Sequence, residues 1–91
     1  MTVLALPPRV DLSHVGELTA QLRAAQGAPL TLDAGAVTHF GGLGLQVLLA
    51  SARSWRARAL PFSISPRSEA FDEALAIFGV ELSDVQSEEA A

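Results

Sequence analysis

The spacing of apolar positions changes along the chain, and each change marks an element. Leu30, Leu32 and Ala34 alternate with Thr31 and Asp33, the two-residue period of a strand with one buried face. From Gly42 the period lengthens. Leu45, Leu48, Leu49 and Ala52 recur at helical spacing and Trp55 continues the series, so a strongly apolar helix is predicted from 42 to about 58. Val3 to Leu6 is a short apolar run stopped by Pro7 and Pro8, which suits an edge strand because proline donates no hydrogen bond. Val15, Leu18, Leu22 and Ala25 share one face of an earlier helix, with Ser13 as its cap and Asp11 as a rival. Gly27 fits its end and Pro29 forbids continuation. Leu60, Phe62 and Ile64 form a second alternating run. A last helix opens at Ser65-Pro66 or at Ser68, places Glu69, Asp72 and Glu73 in its first turns, buries Phe71, Ala74, Leu75 and Phe78, and stops at Gly79.

Strand and helix thus alternate three times. That order implies an α/β fold class: a single small domain with a mostly parallel or mixed central sheet of about four strands and helices packed on it. The domain is expected over residues 1–80, with 81–91 as a polar, acidic and frayed C-terminal tail.

Composition narrows the function classes. The 91 residues are 49 % hydrophobic, which supports one folded core. There is no cysteine, hence neither a disulfide framework nor a thiolate metal site. No apolar run reaches a membrane-span length, and the N-terminus lacks the pattern of a signal peptide, so a cytoplasmic, bacterial-type protein is expected. The net charge of −4 is uneven: residues 1–68 hold all six arginines, whereas 69–91 hold seven acids and no base. Arg53, Arg56 and Arg58 suit the negative end of a helix, and no basic face with interleaved aromatics predicts a nucleic-acid partner.

Chemistry concentrates in the loop Thr38-His39-Phe40-Gly41-Gly42, at the end of the central strand, where open α/β sheets engage ligands and partners. Gly41, Gly42 and Gly44 fall within four residues, although each glycine in a helix costs about 0.5–1 kcal/mol relative to alanine. Two readings account for them: close packing of helix on strand, or bare backbone at a positively polarised helix start that another molecule approaches. Thr38 reads as a turn-forming hydroxyl. His39 stands in the loop as a backbone-bonding side chain, a docking contact or a titrating group. His14 is expected to be exposed and without a metal-binding partner, so no metal site or cofactor is predicted. Neither a nucleophile elbow nor a phosphate-binding glycine motif appears, and no catalytic constellation can be assembled, so the chain reads as a non-enzyme.

The segment LTLDAGAVTHFGGLGLQVLLASAR resembles the signature of STAS domains, found in anti-sigma factor antagonists and sulfate transporters. That pattern is an apolar strand ending in Asp, a short loop with a valine, then Asp-Ser-(Ser)-Gly-Leu opening an apolar helix. Asp33, Val37, Gly44, Leu45 and Leu48 match it. LPPRVDLSHVGELTAQL and ISPRSEAFDEALAIFGV resemble the flanking segments, so the likeness covers about residues 3–80. Two departures stand out. The family's loop Asp falls on Gly41 and its phosphorylatable Ser or Thr on Gly42, so the usual phospho-acceptor is missing. Its N-terminal hairpin is shortened, leaving an edge that is open or covered by a partner or a second copy.

The resemblance implies a regulatory module of bacterial signalling or transcription control that acts by binding a protein. Partners of the implied kind are a serine-kinase-type anti-sigma factor, a histidine-kinase-type regulator, or the ATPase of an ABC lipid transporter to which the chain would be an accessory subunit; a homodimer is also open. The partner-binding residues would be Thr38, His39, Gly41, Gly42 and Leu43, with Asp33 and Gly44 shaping the loop. The helix start also leaves open a nucleotide or small-anion sensor.

Overall fold

The computed structural model describes residues 2–87. Strands β1 (Thr2–Ala5), β3 (Leu30–Ala34) and β5 (Phe62–Arg67) form a parallel sheet in the order β1-β3-β5, taking β2 as Arg9–Val10 and β4 as His39–Phe40 in chain order. Parallel neighbours need crossovers. Helix α1 (Leu12–Ala24) supplies the first and α2 (Gly42–Ala57) the second, while α3 (Glu69–Phe78) follows the last strand. The α/β class and the alternation read from the periodicity are both present. Leu30, Leu32 and Ala34 are buried as the central strand requires.

The strands divide three plus two, because β2 and β4 form a separate parallel pair. Two residues are too few to show a period, so neither strand is legible in the sequence. Their pairing follows from the prolines. The Leu6 N–H donates to the Asp33 carbonyl at 2.9 Å. Pro7 and Pro8 then have no N–H to continue the ladder. The Pro8 carbonyl instead accepts from the Thr38 N–H at 2.7 Å, the His39 N–H at 3.1 Å and the Thr38 hydroxyl at 3.1 Å. Those bonds bring the two segments back together, with Val10 opposite Phe40.

Helix ends settle the rival caps. Asp11 caps α1, its side chain accepting from the Ser13 N–H at 3.1 Å, so Ser13 lies inside the helix. Ser68 caps α3 and accepts from the Phe71 N–H at 3.0 Å. Ser65-Pro66, joined by a cis peptide bond, lies within β5 and opens no helix. Gly79 caps α3 at φ 71° as expected, whereas α1 is capped by Ala25, and Gly27 turns the chain two residues later at φ 94°. The left-handed residue after α2 is Ala59, at φ 53°.

The core gathers Leu18, Leu22, Leu45, Leu48, Ala52, Trp55, Phe62, Ile64, Phe71 and Leu75. Trp55 belongs to it fully: its ring packs 5.0 Å from that of Phe62 and its indole N–H donates to the Ala28 carbonyl at 2.8 Å. Phe78 is a correction. It leaves the core, because Phe71 and Leu75 already fill the inner face of α3, and it is 42 % exposed.

The expectation of a frayed tail is also corrected over residues 81–87. A 3-10 turn at Leu82–Val85 buries Val85 completely, and Ser87 bridges antiparallel to Phe62. The Gln86 side-chain oxygen accepts from the Ile64 N–H, and Arg56 donates to the carbonyls of Ser83 and Gln86. These polar bonds cover the edge of β5, which the charge pattern could not reveal. Residues 88–91 of the expected tail lie outside the described residues. At the opposite edge, β1 pairs among the described residues with β3 alone and exposes Thr2, Val3 and Ala5. No helix among the described residues is long and apolar enough to cross a membrane.

Candidate functional site

The loop between β3 and α2 is tied down at both ends. Asp33 closes the strand by accepting the Gly35 N–H at 2.9 Å, a side-chain turn that mimics a backbone one. Val37 is buried, and its carbonyl accepts the Ser68 hydroxyl at 2.6 Å. Thr38 spends its hydroxyl on Pro8, as a turn-forming residue does. Phe40 packs its ring 4.9 Å from that of Phe71. The Gly41 N–H donates to the Val10 carbonyl at 3.0 Å. Fixed at five points, the loop delivers the start of α2 in a defined orientation.

The glycine run separates into two kinds. Gly44 is buried, and a Cβ there would lie 2.6 Å from Val10 Cγ1 and 3.1 Å from Phe40 Cε1. Close packing of α2 on the β2–β4 pair therefore requires glycine at 44. Gly41 and Gly42 have no such reason. Gly41 occupies the cap in ordinary extended backbone with no side chain to bond the helix N–H groups. Gly42 is exposed, and a Cβ there would meet only Phe78 Cε1 at 4.0 Å. The first turn of α2 holds no acid. Its N–H groups and partial positive charge thus face outward uncompensated.

Thr38, His39, Gly42 and Leu43 are exposed beside this helix start and Gly41 is half-buried, whereas Asp33 and Gly44 lie beneath, in the turn and the packing. Next to them a groove of about 280 Å³ runs between residues 38–40 and the outer stripe of α3. That stripe is Ala70, Ala74, Ile77 and Phe78, with Glu73 among them. Sequence reasoning missed the contribution of α3. The signal was partial: Ala70, Ala74, Ile77 and Phe78 recur at i, i+4, i+7 and i+8, but Ala74 and Phe78 also had the spacing of the inner face that Phe71 and Leu75 fill. Ile77 is 83 % exposed and Leu43 45 %.

Five titratable groups form local pairs. His14 is half-buried, not exposed, and its Nδ1 lies 2.7 Å from Asp11 Oδ1. That bond, aided by Arg9 and the Ser13 N–H and opposed by desolvation, holds the Asp11 carboxyl below the usual carboxylate range. Arg67 pairs with Asp72 at 2.9 Å. Among the described residues no three His, Asp or Glu side chains come together as metal ligands would. The groove region offers apolar contact and backbone donors, and residue 42 has no side-chain hydroxyl to receive a phosphoryl group.

A comparison with curated proteins found no match, and a comparison with solved structures found none. A scan against protein families matched residues 1–84 to the family described as Mlab, STAS domain. The match spans every helix and strand described above and includes the loop and glycine run. The chain therefore belongs to the STAS domain family, a family of regulatory and interaction modules.

Proposed function

We propose that this chain is a non-catalytic protein-interaction module that binds its partner constitutively through the start of α2 and the adjoining groove. One observation carries the reading: residue 42, where the family pattern has a phosphorylatable hydroxyl, is an exposed glycine at the first position of a helix. A phosphate there would add about −1.5 to −2 charges to the contact surface. Without a hydroxyl this position cannot be switched, and occupancy follows abundance and affinity. The partner is a kinase-type regulator of the anti-sigma class, which places the chain in bacterial signalling or transcription control in the cytoplasm.

A second reading, an accessory subunit on the ATPase of an ABC lipid transporter, is favoured by the same missing hydroxyl, because a permanent subunit needs no release switch. Co-purification from native cells separates the two, since one partner is a soluble kinase-like protein and the other a transporter ATPase. A nucleotide or anion sensor would instead show a ligand-dependent melting shift in the free protein.

The direct test is Gly42→Asp, with affinity for the isolated partner read by calorimetry. The added side chain has room, so folding stays nearly intact. A carboxylate desolvated beside Leu43 and Phe78 weakens binding. Unchanged affinity would move the interface elsewhere. Phosphorylation of the chain by its kinase partner with loss of binding would end the constitutive claim.

A further inference from the structure

Resting on that docking reading, we infer the chemistry of the docked element: an amphipathic helix with a basic flank, laid along the outer stripe of α3. Five large apolar side chains are exposed among the described residues, and Leu43, Ile77 and Phe78 are three of them. Ile77 and Phe78 line the groove, and a Cβ built on Gly42 would lie 4.0 Å from the Phe78 ring, so the start of α2 that carries Leu43 borders it. Single exposed apolar residues are ordinary; a contiguous patch marks a contact. The stripe from Ala70 to Phe78 covers nine residues, about 13 Å of helix. A ridge of that length and spacing fits the ridges-into-grooves packing of a second helix.

Charge decides what the partner helix carries beside its apolar face. Glu73 stands in the groove wall with no ion pair among the described residues. The last turn of α3 has no base, so its negative dipole end is uncompensated. From residue 69 to the C-terminus the sequence holds seven acids and no base. Arg67 is already committed to Asp72, and Arg9, which stands opposite the groove residue His39, to Asp11. An acidic partner is repelled and a basic one is steered in.

The probe is a fluorescein-labelled stapled peptide of about 15 residues, long enough to hold a helix, with a leucine stripe and arginine flanks. A twin carries glutamate flanks. Both are titrated by anisotropy against the full chain and against Ile77→Ser, Glu73→Lys and Gly42→Asp. Residues 73 and 77 are exposed, so the variants fold. The arginine peptide should bind better than its twin. Ile77→Ser should weaken it about tenfold, equivalent to about 1.4 kcal/mol. Glu73→Lys should weaken it about fivefold and favour the glutamate twin, as loss of one exposed pair allows.

No binding, or a preference unaffected by Glu73→Lys, overturns the inference. Sensitivity to Gly42→Asp alone would leave the docking surface standing while removing the basic helix from it. Insensitivity to all three variants would remove both. Sedimentation of the free chain gives the remaining arm: a dimer abolished by Ile77→Ser would assign the stripe to a second copy and overturn the basic helix.

Discussion

Gly42 and Gly44 are separated by one residue in the same helix, and replacing each with alanine should move stability in opposite directions. Helix propensity alone treats them alike: alanine gains about 0.5–1 kcal/mol over glycine within a helix. The surroundings break that symmetry. At 42 a new methyl finds ordinary van der Waals distance to Phe78 and nothing closer. The gain is then kept, at the lower end because position 42 is the first of the helix, and Gly42→Ala should stabilise by about 0.5 kcal/mol. At 44 the methyl would overlap Val10 Cγ1, which is fully buried and β-branched, and crowd the Phe40 ring. Neither neighbour can retreat into solvent. Overpacking of this kind costs about 1–3 kcal/mol. Subtracting the propensity gain leaves Gly44→Ala less stable by up to about 2.5 kcal/mol, with about 1 kcal/mol at mid-range. In a domain of this size each kcal/mol shifts Tm by roughly 4–8 °C. Thermal unfolding followed by circular dichroism, with urea titration as a check that the m-value is unchanged, reads both variants. A Gly44→Ala protein that melts at or above wild type would refute the claim that close approach to the β2–β4 pair selects glycine there.

Three further outcomes follow from the same geometry. Ser68→Ala removes a hydroxyl that both caps α3 and donates to the buried Val37 carbonyl, so it should destabilise by about 2 kcal/mol in urea unfolding, against the few tenths expected of an exposed serine. Ala59→Gly should stabilise by about 0.5–1 kcal/mol, because the left-handed backbone at φ 53° costs a residue with a Cβ about 1–2 kcal/mol and glycine's extra unfolded-state freedom returns only part; a lower Tm would contradict this. Asp11 has its carboxyl depressed in the folded state, so its contribution is present above the unfolded value of about 4 and is lost as pH falls through the folded value. Asn caps as well as Asp, so Asp11→Asn isolates the charge: its Tm deficit should be full at pH 6 and close below about pH 4, and a deficit independent of pH would refute the pairing.

What the sequence determined by itself is what neighbours along the chain decide. The alternation at Leu30, Leu32 and Ala34, the helical spacing of Leu45, Leu48, Ala52 and Trp55, and the stop at Gly79 are local preferences that tertiary contacts reinforce. Where two local signals competed, as with Ser13 against Asp11, the sequence held both and the cap geometry chose. The rest depended on partners distant in sequence. Two-residue strands are held by the Pro8 carbonyl thirty residues from Thr38, and an acidic tail is fixed by Arg56 and the free edge of β5. Gly44 and Gly42 look identical in one dimension; only the arrival of Val10 and Phe40 against one of them distinguishes a packing glycine from an open one. Phe78 had the right spacing for the core, yet the inner face of α3 was already filled by Phe71 and Leu75. Periodicity can say that a side chain lies on a face, but which face is covered depends on volume contributed from elsewhere in the fold.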